Sequence, residues 1–299
     1  MNHTGTNPPS NPKIKAVAII PARYESVRLP GKVLLEIAGE PMICWVVERA
    51  LAARNVDRAI VATDDQRIAT AVTSAGYEAV MTRVDHKSGT DRIAEVAASL
   101  ADADIIVNVQ GDEPLISPLT IERAVEAIAA EGNLGKGEAG KGNEERVTEG
   151  VGIVTTWEPM ETAADVLNPD VVKIVVDDRE RAIYFSRSPV PYPRDAVSRH
   201  GSIEAAIFAE PALLTSFRKH TGLYVYRREV LLEFAQWPQP ALELLESLEQ
   251  LRALEHGVNI KAIEASAPSI GVDTSEDLER VRRLVSSFKF QVSSSVAQS

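Results

Sequence analysis

The sequence predicts an α/β protein in which a largely parallel β-sheet is flanked by helices. The main observation is that short apolar runs, typical of buried strands, alternate along the chain with helical patterns, which indicates βαβ units. The second is that several of these runs end directly in polar, glycine-containing loops, as strands do at the ligand-binding edge of a parallel sheet. Residues 15–286 are predicted to form one domain.

The alternation is most regular in the first half of the chain. The predicted strands are 16–20, 58–62 and 104–109, and the predicted helices are 41–54, 65–75, 90–100 and 119–131. Because the carboxyl ends of parallel strands meet at one edge of a sheet, the loops 21–32, 63–65 and 110–114 are expected to open on the same side.

The second half is less regular. Strands are predicted at 151–156, 171–177, 182–186, 221–226 and 260–264, with helices at 229–236, 242–257 and 274–284 and a loop plus a short helix over 195–216. Residues 132–150 are rich in glycine and charge and have little to bury, which predicts a flexible insert. Residues 1–14 are predicted to be a disordered N-terminal tail, and 287–299 a C-terminal tail.

Composition excludes several classes of protein. The 299 residues carry a net charge of −11, which argues against a nucleic-acid or anionic-membrane binder, since both need a basic surface. The single cysteine, Cys44, excludes an internal disulfide framework and is expected in the core. The sequence has no apolar run near the ~20 residues that span a bilayer and no apolar signal region, so no membrane insertion and a cytoplasmic location are expected.

The first loop concentrates positive charge in this acidic protein. The apolar strand ends at Pro21, and Arg23, Arg28 and Lys32 follow on one segment. Gly31 before the last of them permits a tight turn and a close approach to a ligand. Three cations at a ligand edge favour a polyanion such as a triphosphate, although a solvated surface loop gives the same pattern.

Two carboxylates are candidates for a metal site. Asp112 follows the strand 104–109 directly, and Asp273 precedes the last helix. Mg²⁺ takes one or two carboxylates together with phosphate oxygens, so the two side chains suit one cation across a cleft. A β-turn at the first position and a helix cap at the second are the alternatives.

Other segments suggest contacts to a polar ligand. Ser88 stands where a helix opens, and free backbone amides there suit an anion or a base edge. His86 in the same segment has no second ligand at metal spacing and is expected at the surface. Arg187 suits a substrate carboxylate. Helical spacing places Glu243, Glu246 and Gln250 near one face, as either a sugar-binding surface or a solvated one.

Two familiar phosphate-binding motifs are absent from the sequence. A Walker A loop has glycine where Ser26 stands and serine or threonine where Val33 stands. The dinucleotide pattern of three glycines after a strand does not occur either.

Taken together, the chain resembles the bacterial 3-deoxy-D-manno-octulosonate (Kdo) cytidylyltransferases over about residues 16–285. The matching motifs, in the family's order, are Ile19-Ile-Pro-Ala-Arg-Tyr24, Arg28-Leu-Pro-Gly-Lys32, Val61-Ala-Thr-Asp64, Asp85-His-Lys-Ser-Gly-Thr-Asp-Arg92, Val107-Asn-Val-Gln-Gly-Asp-Glu-Pro114, Tyr184-Phe-Ser-Arg187, His220-Thr-Gly-Leu-Tyr224, Leu248-Glu-Gln-Leu-Arg252 and Gly271-Val-Asp-Thr-Ser-Glu-Asp-Leu278.

The resemblance implies a nucleotide-diphospho-sugar transferase-like α/β fold with a mixed, mostly parallel sheet. It also implies a homodimer, Mg²⁺ as cofactor, and transfer of CMP from CTP to the anomeric C2 hydroxyl of Kdo for lipopolysaccharide synthesis. It implies that Arg23, Arg28 and Lys32 hold the triphosphate beside Pro21, Ala22, Ser88 and Gln110, that Asp112 and Asp273 hold the metal, and that Arg187, His220, Tyr224, Glu246 and Gln250 surround the sugar acid. Arg23, Arg28, Lys32 and Asp112 would be the catalytic residues. Residues of about 187–265 would form the sugar-binding and dimerisation part.

Other activities fit the same motifs less well. A cytidylyltransferase for 8-amino-Kdo or sialic acid differs only in the sugar pocket. A sugar-1-phosphate nucleotidyltransferase needs a further basic site, against which the acidic segment 243–250 argues. A non-catalytic nucleotide-binding protein would keep the cationic loop without needing both Asp112 and Asp273.

Overall fold

The computed structural model describes residues 15–25, 28–131 and 150–296. The strands are β1 (Ala16–Ala22), β2 (Glu36–Ile37), β3 (Glu40–Pro41), β4 (Arg58–Thr63), β5 (Glu78–Met81), β6 (Ile105–Asn108), β7 (Val151–Pro159), β8 (Lys173–Val176), β9 (Ala182–Ser186), β10 (Arg218–Arg227) and β11 (Asn259–Glu264). The helices are α1 (Met42–Leu51), α2 (Gln66–Ser74), α3 (Gly89–Ser99), α4 (Pro118–Ala130), α5 (Ala163–Leu167), α6 (Arg194–His200), α7 (Ile203–Ala209), α8 (Arg228–Phe234), α9 (Ala241–Glu246), α10 (Gln250–Glu255) and α11 (Ser275–Val296).

The main sheet is mixed, as predicted. Its order is β11-β7-β10-β6-β1-β4-β5, and β8 and β9 extend it from β10. Strand β1 pairs in parallel with β4 and β6, β4 with β5, and β7 with β11. The antiparallel pairs all involve β10 or β8. The carboxyl ends of β1, β4 and β6 therefore open on one edge, which confirms the prediction for their loops.

Both faces of β1 are buried. Ala16, Ala18 and Ile20 pack into a core shared with α1, α2 and α4, whereas Val17 and Ile19 pack into a second core with α3 and α8. A strand covered on two faces has no polar side to show, which explains its unbroken apolar run. Cys44 lies in the first core, as predicted.

Several predicted boundaries are wrong. The helix predicted over 242–257 is two helices, α9 and α10, because Ser247 between them has a left-handed φ of 53°. The last helix, predicted to end at Leu284 before a tail over 287–299, continues to Val296. The segment 195–216 contains α6, α7 and a 3-10 helix over Pro211–Ser216.

Some elements escaped prediction, and some predictions cannot be compared with the structure. The hairpin β2–β3, the strand β5 and the helix α5 were not predicted. The N-terminal tail 1–14 and nearly all of the predicted insert 132–150 lie outside the described residues. Across the ranges that the structure describes, we find no helix with the length and apolar character to cross a bilayer.

Candidate functional site

A cavity of about 560 Å³ lies at the carboxyl ends of β1 and β6. Four cationic and three acidic side chains line it. The lining residues are Pro21, Arg23, Glu25, Arg28, Lys32, Val33, Lys87, Ser88, Gly89, Gln110, Gly111, Asp112 and Asp273. The structure therefore brings together the cationic loop, both candidate metal ligands and the opening of α3, which are distant in sequence.

Lys32 lies between the two candidate metal ligands. Its ammonium donates to Asp112 Oδ2 at 2.5 Å, to Asp273 Oδ1 at 2.9 Å and to the Val272 carbonyl at 3.2 Å. Arg28 contacts the other oxygen of Asp273, Oδ2, at 2.9 Å. Burial alone lowers the pKa of Lys32, but the two carboxylates outweigh it and hold the pKa above its ordinary value. The ammonium is therefore charged at neutral pH.

A turn at Gly31 directs Lys32 into the cavity. Gly31 has a φ of 67° and donates its amide to the Tyr24 carbonyl at 2.9 Å. A Cβ at Gly31 would lie 3.0 Å from the Tyr24 ring, so glycine fits both the backbone and the space. Arg67 stacks on the Tyr24 ring at 3.3 Å from its centroid and is held by Asp65. The loop after β4 thus supports the cationic loop without lining the cavity.

Asp112 and Asp273 are brought together by backbone contacts. The Val272 amide donates to the Asp112 carbonyl at 2.9 Å, which ties the loop before α11 to the loop after β6. On the other side, Gly111 packs so closely on β1 that a Cβ would lie 2.9 Å from the Pro21 carbonyl oxygen. Because these contacts use the backbone, they fix the two loops whatever the carboxylates bind.

Arg23 and Ser88 meet at the opening of α3. Arg23 donates to the His86 carbonyl at 2.8 Å. The Ser88 hydroxyl accepts the Asp91 amide at 3.1 Å and the Asp91 carboxylate accepts the Ser88 amide, so Ser88 caps the helix. His86, expected at the surface, has a buried side chain paired with Glu95. The interpretation of His86 as a surface residue was wrong, because Glu95 on α3 satisfies its ring.

Gln110 connects the cavity to β10. Its amide donates to Asn108 Oδ1 at 3.1 Å and faces the Gly222 carbonyl at 3.5 Å. Pro21 lines the cavity, whereas Ala22 is buried in β1 and does not line it. Lys87, which the sequence analysis did not select, also lines the cavity beside Ser88.

His220 and Tyr224 lie together on β10. Their ring centroids are 5.4 Å apart, and Phe185 packs edge-on against His220 at 5.0 Å. The Thr155 hydroxyl donates to the Leu223 carbonyl at 2.8 Å, so it accepts from His220 Nε2 at 2.9 Å, which leaves Nδ1 as an acceptor. Desolvation lowers the pKa of His220 to about 3 and raises that of Tyr224 well above its ordinary value, so both rings are neutral at neutral pH.

Arg187 and Glu246 form a second pair on this side. Glu246 accepts the Arg187 amide at 2.9 Å and the Ser186 hydroxyl at 2.8 Å. Burial raises the pKa of Glu246, but these hydrogen bonds outweigh it and the net pKa is lowered. The Arg187 guanidinium donates to the carbonyls of Glu246 at 2.7 Å and of Pro169 at 2.9 Å. In this arrangement Arg187 organises the backbone around it.

The predicted acidic face over 243–250 is not formed. Glu243 is buried and takes two hydrogen bonds from Arg252, at 2.7 Å from Nε and 2.6 Å from Nη2. The left-handed turn at Ser247 ends α9 directly after Glu246, so Gln250, which is buried at the start of α10, does not share a helix with the two glutamates. The predicted face depended on one continuous helix over 242–257, and the structure has two helices there.

Two further side chains were missed by the sequence analysis. Glu249 accepts the Thr90 hydroxyl at 2.7 Å, which links α10 to the opening of α3 across 159 positions; no local pattern signals such a contact. Desolvation and the adjacent Asp112 charge raise the pKa of Glu113 to about 7, and Ser269 donates to it at 3.2 Å. The sequence signal that could have identified Glu113 is its position directly after Asp112 in the motif Val107–Pro114.

Comparisons with known proteins agree with this geometry. A sequence profile of the family described as cytidylyltransferase matches residues 17–263. A 3-deoxy-manno-octulosonate cytidylyltransferase of Trichlorobacter lovleyi is 48% identical over 269 residues, which cover 90% of this chain and 98% of that protein. One of Pseudomonas fluorescens is 49% identical over 271 residues, which cover 89% and 96%.

Solved structures give the same picture. A CMP:2-keto-3-deoxy-manno-octonic acid synthetase complexed with CTP superposes with a TM-score of 0.76 at 42% identity, covering 91% of this chain and 99% of that one. A 4-diphosphocytidyl-2C-methyl-D-erythritol synthase from Anaerococcus prevotii shares the fold alone, at 10% identity and a TM-score of 0.55 over 92% and 100% of the two chains. The predicted nucleotidyltransferase fold is confirmed, and the chain belongs to the cytidylyltransferase family, among the 3-deoxy-manno-octulosonate cytidylyltransferases.

Proposed function

We propose that this protein transfers CMP from CTP to the anomeric C2 hydroxyl of Kdo, releasing pyrophosphate. The observation that carries the proposal is the cavity in which Arg23, Arg28 and Lys32 converge with Asp112 and Asp273. It is supported by the likeness of the whole chain to a synthetase that was solved with CTP. A bound triphosphate needs cations beside it, and its metal ion needs carboxylates as ligands, and this cavity offers both.

The proposed reaction is an in-line displacement at the α-phosphorus. The C2 hydroxyl loses its proton to solvent, and its oxygen forms the new bond to phosphorus while the bond to the bridging oxygen of the β-phosphate breaks. Pyrophosphate leaves with that bridging oxygen. The triphosphate charge repels the nucleophile and grows on the leaving group. Arg23, Arg28 and Lys32 would offset that charge, and the fixed positions of the two substrates make the step effectively unimolecular.

The residues present fit Mg²⁺. One oxygen of Asp112 and one of Asp273 already converge on a single cation, the Lys32 ammonium. In the described ranges no cluster of three or more histidine, cysteine or acidic side chains offers a fuller site. Two carboxylates completed by phosphate oxygens are the usual protein share of a magnesium site. When bound there, Mg²⁺ would neutralise phosphate charge and orient the triphosphate.

The sugar side would bind Kdo through neutral and positioned groups. His220 Nδ1 is an acceptor suited to a sugar hydroxyl, and Tyr224 adds a neutral phenol beside it. The side chains of Arg187 and Glu246 each form a hydrogen bond with the backbone of the other residue, and the pair would form the wall of the pocket. Gln250 would complete it from α10.

A homodimer and a cytoplasmic location are further parts of the proposal. The segment proposed for dimerisation exposes Phe208 by 89%, Leu245 by 82% and Leu244 by 62%. Large apolar side chains this exposed favour burial by a second copy. Sedimentation of the wild type and of a Phe208→Ser variant tests this: we expect a dimer that the substitution weakens, and a monomeric wild type would contradict it.

Release of pyrophosphate tests the activity. We expect release from CTP and not from ATP, GTP or UTP, and only when a sugar acid is present. Kdo, 8-amino-Kdo and N-acetylneuraminic acid should be compared at equal concentrations, since the cavity chemistry is compatible with all three. Higher kcat/KM with either of the other two acids would reassign the substrate, and no release with any of them would favour nucleotide binding without catalysis.

A further inference from the structure

Lys32 occupies the point at which the two metal-binding carboxylates converge. Its ammonium is 2.5 Å from Asp112 Oδ2 and 2.9 Å from Asp273 Oδ1. We propose that Lys32 is an internal cation that competes with the divalent metal, so that the carboxylates bind metal only when the nucleotide phosphates draw Lys32 away. This inference rests on the proposed function, because it assumes that a nucleotide triphosphate enters this cavity.

The competition follows from charge and space. Two cations cannot share the same pair of oxygens at hydrogen-bonding distance, since like charges that close repel strongly. A metal arriving alone must therefore expel Lys32 from both carboxylates. The Lys32 side chain is only 14% exposed, so an expelled ammonium that finds no other anion would be left poorly solvated. Phosphate oxygens supply that other anion.

The backbone holds Lys32 in the competing position. The Val272 carbonyl accepts from the ammonium at 3.2 Å, while the Val272 amide donates to the Asp112 carbonyl at 2.9 Å. The same residue thus anchors both the lysine and one of the loops that carry the carboxylates. Arg28 differs: its side chain is 63% exposed and contacts Asp273 through the other oxygen, Oδ2, at 2.9 Å. Lys32 therefore competes with the metal for the carboxylates more strongly than Arg28 does.

Linkage then makes metal and nucleotide binding cooperative. If CTP relocates Lys32, it raises the affinity of the carboxylates for metal, and metal raises the affinity for CTP by the same factor. The protein would keep its carboxylates free of metal until the nucleotide arrives. The device costs no structural rearrangement beyond one side chain.

Binding of Mn²⁺ to the protein without nucleotide or sugar tests the inference. Free Mn²⁺ can be followed by electron paramagnetic resonance during a titration of wild type, Lys32→Met and Lys32→Gln. We expect both variants to bind Mn²⁺ at least about tenfold more tightly than wild type, within the usual range for coupled sites. Adding Asp112→Asn to Lys32→Met should remove the gain.

Lys87→Met is the matched control. Lys87 lines the same cavity and carries the same charge, but it is exposed and is not one of the residues between the carboxylates. We expect its Mn²⁺ affinity to stay within about threefold of wild type, since water and salt screen the long-range effect of an exposed charge. An equal gain in Lys87→Met would overturn the inference, because it would reflect net charge and not occupancy.

A wild-type measurement decides the matter even if the Lys32 variants fail to fold. In wild type, CTP should raise the affinity of the Asp112-dependent Mn²⁺ site by about tenfold or more, after correction for Mn²⁺ bound to free CTP. An Asp112-dependent site that binds Mn²⁺ equally well with and without CTP would overturn the inference. Neither titration uses turnover or a sugar acid, so failure here is distinguishable from failure of the proposed activity.

Discussion

The two sides of the site are built differently. On the proposed nucleotide side, the side chains stand on the loops after β1 and β6 and before α11, and their contacts are charge pairs across the cavity, such as Lys32 with Asp112. On the proposed sugar side, they stand on β10, after β9 and on α9 and α10, and they are bonded to the protein itself, as Glu246 is to Ser186. The first arrangement can exchange partners, whereas the second is already satisfied.

This difference distinguishes side chains that are free to bind a ligand from side chains that stabilise the fold. A charged pair that spans a cavity loses little fold stability when a ligand replaces one partner, because water and the ligand both solvate it. A buried polar network must stay complete, because a group left unpaired costs about 1–3 kcal/mol. Substitutions of the charged side chains on the nucleotide side should therefore change turnover and metal binding, and substitutions of the hydrogen-bonded side chains on the sugar side should change stability or the response to sugar.

Asp112→Asn should have the largest effect. It removes the charge that both Lys32 and the proposed metal use, and we expect kcat at saturating CTP and Kdo to fall by about a thousandfold. The fold should persist, because the contact from Val272 uses the Asp112 backbone carbonyl. Pyrophosphate release measures the loss.

Asp102→Asn is the control for that loss. Asp102 is 73% exposed and pairs with Lys15 far from the cavity, so its neutralisation should leave kcat within twofold. A kcat for Asp112→Asn within about tenfold of wild type would contradict the metal assignment.

Gly111 and Gly222 differ in the atoms that an added Cβ would meet. A Cβ at Gly111 would meet the Pro21 carbonyl oxygen at 2.9 Å, which is backbone and cannot give way. A Cβ at Gly222 would meet side-chain atoms of Glu113 and Gln110 at 3.0 and 3.1 Å. We expect Gly111→Ala to lower the free energy of unfolding by about 3 kcal/mol and Gly222→Ala by less than about 1 kcal/mol. Urea titrations measure both, and equal losses would contradict the distinction.

The same difference explains what the sequence could predict. The loop cations and Asp112 were found because each follows an apolar run, so a local pattern located them at a sheet edge. The break of the predicted helix 242–257 into α9 and α10 was not found. It depends on the left-handed φ of Ser247, which nothing nearby in the sequence requires. The burial of His86 depends on Glu95 in the folded chain, and that contact is likewise tertiary.

The pH dependence of stability should report His220. Desolvation lowers its pKa in the folded protein to about 3, below its unfolded value of about 6.5. The unfolded state therefore binds the proton first, and stability falls as the pH drops from about 6.5 towards 3. Between pH 7 and pH 5 this single group should cost about 2 kcal/mol.

Urea unfolding of wild type and His220→Asn at both pH values isolates that contribution. Asparagine does not titrate, so the variant should lose about 2 kcal/mol less than wild type on acidification. Equal losses would mean that His220 is protonated in the folded protein and that its Nδ1 is a donor.

Glu246→Gln should have the smallest effect and the most specific one. The substitution keeps the shape of the side chain but removes the charge that holds the Arg187 amide and the Ser186 hydroxyl. We expect the KM for Kdo to rise by about tenfold, with the KM for CTP unchanged, because the lost charge-assisted hydrogen bonds are worth about 1.5 kcal/mol. Initial rates with each substrate varied in turn measure both constants.

Glu243→Gln sharpens the comparison, since it makes the same change three residues away. Glu243 faces Arg252 in the interior, so the variant leaves a buried guanidinium without its counter-ion and should lower the free energy of unfolding by about 3 kcal/mol. Below its melting temperature both KM values should stay near wild type. If Glu243→Gln raised the KM for Kdo as Glu246→Gln does, the two glutamates would share one binding surface despite the pairing of Glu243 with Arg252.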